Sequence, residues 1–225
     1  MHLVNQHDID DAAGKVHKAV MSIEHYLAFV TATMILLVIP GPTILLVVSY
    51  ALGQGWRAAL PTAIGVALGD FTAMTLSLFG VGALLLASAS LFTVLKWIGA
   101  AYLFWLGFKL FRAGGTLDAK PIEGKSPALK MVGHAWLVTA LNPKSITFFV
   151  AFVPQFVDRS APFAPQATIM VATFVVLAFA NAFTYAFAAS RARKTFANPK
   201  AIKAFNRTGG TLLMGAGVAT AVIRT

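Results

Sequence analysis

From Tyr26 to Trp56 the chain runs 31 residues without a charged side chain, well beyond the roughly 20 apolar residues that a helix needs to cross a bilayer. From Arg57 to Lys96 the only charge is Asp70, and Ser160 to Ser190 is uncharged again. A water-soluble chain carrying these runs would leave apolar patches that soluble monomers avoid, so lipid is the solvent they suit. Composition agrees: 58% of the residues are hydrophobic and 12% charged, against about 25% charged in a soluble domain. No segment alternates with period two on the scale of a β-barrel, which leaves α-helices as the spanning element.

Reading along the chain predicts six spans: Tyr26–Trp56, 58–87, 90–112, 131–157, 160–190 and 205–224. The expected fold is an all-α integral membrane protein, one transporter domain over 21–225. It divides into halves at about 21–112 and 130–225, joined by a linker at 113–129. Residues 1–20 hold Asp8, Asp10 and Asp11 and no apolar core, unlike a signal peptide. They are expected to be a disordered extension or a start placed too early.

The net charge is +10, from 18 Lys and Arg against 8 Asp and Glu. A nucleic-acid footprint would be a basic face on a folded domain. Here twelve of the eighteen fall in or beside three connections instead. Arg57 follows span one, while Lys109 to Lys130 surround the 3–4 connection and Arg191 to Arg207 the 5–6 connection. That bias predicts both basic connections in the cytoplasm and both termini outside. Nucleic acid is therefore not an expected partner; the lipid bilayer is. The chain has no cysteine, which removes disulfides, thiolate metal sites and cysteine redox chemistry.

The two halves resemble each other. Pro40-Gly41-Pro42-Thr43 lies near the middle of span one, and Asn142-Pro143-Lys144-Ser145 near the middle of span four. Gly99 and Gly107 in span three match Gly209 and Gly217 in span six, and Asp70 sits where Asn181 sits in the second half. Three spans per half is an odd number, so the second copy enters the membrane inverted, a transporter architecture. Small residues at Gly65–Gly69 and Thr211–Gly215–Ala219 are expected to let helices approach closely.

A proline inside a helix removes a backbone hydrogen bond and clashes with the preceding turn. Broken helices at matched depths point to a midplane substrate site, where the half-helix starting at Pro42 or Pro143 offers N–H groups to an anion. A plain proline kink is the bland alternative. Asp70 is the acid placed well inside a span, at a cost on the order of 3 kcal/mol. It either carries a ligand or ion, or forms a structural ion pair with Lys144. Lys144 either binds a substrate carboxylate, exchanges it with Asp70, or snorkels outward. Pro40, Gly41, Pro42, Asp70, Asn142, Pro143, Lys144 and Asn181 are thus the candidate substrate-binding or coupling residues, complementary together to a zwitterion. His134 reads as interfacial, Phe148 and Phe149 as packing, and Gln155 as a cap ending span four.

These motifs resemble the LysE/RhtB family of bacterial amino-acid exporters. The resemblance covers about 21–225. It rests on Pro40-Gly41-Pro42, Gly65-Val66-Ala67-Leu68-Gly69-Asp70, Lys96-Trp97-Ile98-Gly99-Ala100-Ala101-Tyr102-Leu103, Leu106-Gly107-Phe108-Lys109, Asn142-Pro143-Lys144, Phe148-Phe149 and Pro154-Gln155-Phe156. It implies efflux of amino acids or close derivatives, driven by the proton or membrane potential rather than ATP. The chain carries no Walker-type phosphate loop, and no cofactor is expected. Competing readings are an exporter of another small solute or cation, a non-transporting scaffold, and an intramembrane enzyme. With no cysteine and no intramembrane His/Asp/Glu cluster, a transition-metal site is poor on ligand grounds. No nucleophile–base pair stands at membrane depth, so an enzyme is not expected. A homodimer is plausible for a unit of this size.

Overall fold

The computed structural model describes residues 21–87, 89–114, 119–158, 161–191 and 199–222. The expectation for residues 1–20 lies outside them. Among the described residues the structure is helical. Helix α1 (Ile23–Val38) starts at Ser22, whose hydroxyl accepts from the His25 N–H, and stops before Pro40-Gly41-Pro42. Helix α2 (Pro42–Gln54) begins with proline at its first position, where the missing N–H costs nothing.

Gly55, at φ 74°, ends α2, and a 3₁₀ turn at Gly55–Ala58 leads into α3 (Ala59–Ala87). The helical run Pro42–Gly80 is 39 residues long, but it is not one straight rod. Thr43 and Asp70, on opposite sides of Gly55, line the same cavity, so the chain turns back at the glycine. The left-handed backbone there suits a residue without a Cβ.

Helix α4 (Ala89–Arg112) follows. Helix α5 (Ala128–Ala140) breaks at Leu141-Asn142, and α6 (Pro143–Thr147) continues through a π turn (Phe148–Phe152) and a 3₁₀ turn (Val153–Phe156). The two segments, Ala128–Ala140 and Pro143–Phe156, meet at a bend of 43°. Helices α7 (Phe163–Arg191) and α8 (Pro199–Val222) complete the chain.

By length and hydropathy, Pro42–Gly80 and Phe163–Arg191 are able to cross a membrane, and the bent α5–α6 pair makes a third such unit. The outer surface suits the same solvent: Leu76, Phe79 and Val176 point away from the protein, each about two-thirds exposed or more. Phe29, Val47, Met74, Phe149 and Phe174 fill the interior.

The helices pack against partners distant in sequence. α3 lies against α5 and α7, α2 against α7, and α4 against α8. The Gly65–Gly69 expectation holds: a Cβ on Gly65 would reach the Val132 carbonyl at 2.4 Å, and one on Gly69 the Thr139 Cβ at 2.6 Å. The Thr211–Gly215–Ala219 expectation does not. Gly215 faces open space and Thr211 is exposed. Instead Gly107, Gly210 and Gly217 bring α4 and α8 together backbone to backbone.

Candidate functional site

Two helix breaks and one buried acid meet in the interior. A cavity of about 20 Å³, space for about one water molecule, is lined by Gly41, Thr43, Asp70, Asn142, Lys144 and Asn181 among others. Five of the eight sequence-predicted residues, Gly41, Asp70, Asn142, Lys144 and Asn181, are therefore brought together around one space. Pro40, Pro42 and Pro143 shape the backbone without lining the space.

The first break creates a specific problem in hydrogen bonding. An α-helix pairs each carbonyl with the N–H four residues on, but Pro40 and Pro42 have no N–H to give Leu36 and Val38. Within a bilayer such carbonyls need other donors. The second half of the chain supplies them. Lys144 Nζ donates to the Leu36 carbonyl at 3.0 Å and the Ile39 carbonyl at 2.7 Å. Asn181 Nδ2 donates to the Leu37 carbonyl at 3.0 Å, and the Tyr185 hydroxyl to the Val38 carbonyl at 2.6 Å. Four consecutive carbonyls are thus held by an ammonium, an amide and a phenol from α6 and α7.

The second break is braced from the first half. Thr43 Oγ1 accepts from Asn142 Nδ2 at 3.0 Å and lies 3.3 Å from the Thr139 hydroxyl. Asn142 Oδ1 accepts from the Lys144 backbone N–H at 3.0 Å. The helix start at Pro143 is thus capped by its own asparagine, while that at Pro42 has no side-chain cap. Of the two helix starts expected to face an anion, only the Pro42 one keeps that possibility.

Asp70 is 2% exposed and Lys144 7%. Snorkelling is thereby ruled out for Lys144. Asp70 and Lys144 face each other across one cavity and attract electrostatically, but no hydrogen bond joins them: the ammonium is engaged by carbonyls and Asp70 Oδ1 is buried with no hydrogen-bond partner. Gly41 lies beside the lysine: a Cβ there would make ordinary van der Waals contact with the end of the Lys144 side chain, at 3.4 to 3.5 Å.

The remaining sequence readings fall as follows. Phe148 and Phe149 are buried among Phe152 and Phe174, as packing residues. Gln155 donates to the Ala151 carbonyl one turn back. His134 pairs through Nδ1 with the buried Tyr50 hydroxyl at 3.0 Å. Sequence reasoning missed Thr43, Tyr185 and Gln166. The last is fully buried, accepting from the Asp158 N–H and donating to the carbonyls of Asp158, Ala161 and Pro162. Its burial inside an uncharged run was the available signal. Among the described residues no cluster of His, Cys, Asp and Glu could hold a metal ion.

A single-chain helical membrane protein with paired helix breaks around a buried acid and lysine defines a transporter-like class, and the comparisons give its family. The LysE type translocator profile matches residues 34–223; the chain belongs to that family, one of transporters rather than enzymes. The homoserine/homoserine lactone efflux protein of Salmonella typhimurium is 31% identical over 204 residues, 91% of this chain and 99% of the relative. The leucine efflux protein of Enterobacter sp. (strain 638) is 30% identical over 160 residues, 71% of this chain and 76% of the relative. An uncharacterized membrane protein of Vibrio cholerae is 32% identical over 204 residues, 91% of this chain and all (100%) of the relative. No solved structure matches the chain.

Proposed function

We propose that this protein exports an amino acid or a close derivative from the cytoplasm across the bacterial inner membrane. The observation that carries the proposal is the cavity itself: a buried acid with one oxygen that makes no hydrogen bond, a buried ammonium and two broken helices share one space. Such groups are costly in lipid, and a scaffold gains nothing from them. The relatives named as homoserine and leucine efflux proteins support the same cargo class.

The architecture in this reading is six spans in two inverted halves. Support comes from contacts that exchange when the halves are interchanged. Gly99 and Gly209 are 110 residues apart. Gly107 approaches Gly210 and Met214, and Gly217 approaches Ala100 and Phe104, the same pairs moved by that offset. Likewise α3 packs on α5 where α7 packs on α1. The basic connections lie in the cytoplasm and the termini outside. Energy comes from the proton or the membrane potential, which supplies about 2.3 kcal/mol per charge per 100 mV, enough for a roughly fifty-fold gradient. At about 20 Å³ the cavity is closed to an amino acid, so loading requires the helices around it to part.

The test is efflux of preloaded amino acids from cells expressing the native chain beside Asp70→Asn at equal membrane abundance. Accelerated efflux of particular amino acids, abolished by the variant, is the expected result. No acceleration across a broad amino-acid panel would remove this assignment.

A further inference from the structure

Lys144 ends in a primary alkylammonium, RCH₂NH₃⁺, with three N–H donors. Two of them are engaged by the carbonyls of Leu36 and Ile39, at 3.0 and 2.7 Å. A third acceptor, Asp70 Oδ1, lines the same cavity, buried and without a partner. Leu36 and Asp70 line this space with Lys144, and the Ile39 carbonyl meets the same ammonium, so two carbonyls and a carboxylate oxygen form an acceptor set for a primary ammonium group. The carbonyls are available because their helix stops at the Pro40-Gly41-Pro42 break.

Resting on the export reading above, we propose that the Leu36 and Ile39 carbonyls with Asp70 are the cargo's ammonium subsite, and that Lys144 is its tethered occupant. The cargo's own ammonium displaces the lysine, which swings free on its four-carbon stem to meet the cargo's carboxylate. No bond is made or broken; one cation replaces another on the same acceptors, so the protein never leaves these carbonyls unpaired. The substrate class follows: a primary amine is required, and a quaternary ammonium, which has no N–H, is refused. A purely structural lysine that caps a broken helix would show no such exchange.

The probe is methylammonium, with tetramethylammonium as the control of equal charge, added to detergent-solubilised Lys144→Ala. The readout is the unfolding temperature. Methylammonium is expected to raise it saturably while tetramethylammonium does not. The native chain should need about tenfold more methylammonium for the same fractional effect, because its tethered ammonium competes at an effective concentration in the millimolar range. Lys144→Gln, which keeps an N–H₂ donor for the carbonyls, is measured in parallel in case the alanine variant does not fold. Equal effects of both cations, no effect of either, or failure of both variants to fold even with methylammonium present would overturn the proposal. The two readings fail separately. Amino-acid efflux by the native chain without methylammonium stabilisation of the variants sinks the subsite alone. Methylammonium stabilisation without amino-acid efflux sinks the cargo assignment alone.

Discussion

At the residue scale the site is a matter of which donor meets which carbonyl. Tyr185→Phe keeps the ring and removes only the O–H that serves the Val38 carbonyl. With Pro42 unable to substitute, that carbonyl loses its partner, and stability should fall by about 1 kcal/mol, read as a lower unfolding temperature in detergent. Asn181→Leu removes the donor to the Leu37 carbonyl in the same way, and the double variant should cost more than either single change. An unchanged unfolding temperature in both would mean that the carbonyls are served by something other than these side chains. This scale also marks the limit of what the sequence could reveal. Asp70, Lys144, Asn142 and Asn181 were legible because a charge or amide within an apolar run is expensive and needs a reason. Tyr185 and Thr43 were not, since tyrosine and threonine occur freely in membrane helices and their partners lie 147 and 99 positions away.

At the scale of elements, the connection after α4 does more than link two halves. Residues 119–127 lie against α2: the Ile122 N–H donates to the Ser49 carbonyl, and the Ser126 N–H to Gln54 Oε1. Gly53 makes this possible, because a Cβ there would stand 2.0 Å from the Ile122 carbonyl oxygen. Gly53→Ala should therefore push this segment off the helix. Trypsin cleavage at the exposed Lys125 is expected to quicken severalfold, followed as loss of the intact band; an unaltered rate would show that the segment adjusts in place. The helix breaks were readable from Pro40-Gly41-Pro42 and Asn142-Pro143, and the close approach of α3 and α5 from Gly65 and Gly69. The π turn at Phe148–Phe152 and the open position of Gly215 were not, because both depend on which face of a helix meets a neighbour.

For the molecule as a whole, the topology is open to a direct experiment, since the chain contains no cysteine. Any introduced cysteine is the only thiol present. Lys125→Cys should react with a membrane-impermeant maleimide in inside-out vesicles and stay unlabelled in intact spheroplasts. Ala161→Cys, one connection further on, should behave in the opposite way. Labelling of both from the same side would contradict the six-span arrangement. Gly210→Leu tests the other global feature. Its side chain would enter the Gly107 and Phe111 backbone, 2.5 Å away from the first added carbon, so α4 and α8 should separate and the yield of folded protein should drop sharply. The number of apolar runs and the charge bias were written in the sequence. The reciprocal contacts of α4 with α8 were not, because they need the helices' relative rotation.

Aligning Pro42 with Pro143 sets Thr43 against Lys144, and each reaches across to brace the other half's break. One brace is a hydroxyl and the other an ammonium. Were the halves identical, exchanging their shapes would interconvert two end states of equal free energy, and an empty carrier would idle equally on either side of the membrane. The mismatch removes that degeneracy. In the proposed inverted-repeat reading, an ammonium that donates to two carbonyls and a hydroxyl that accepts an amide N–H are braces of unequal strength, so the empty protein should rest in one of the two end states. A cargo moves it from there only by as much as it binds one end state better than the other.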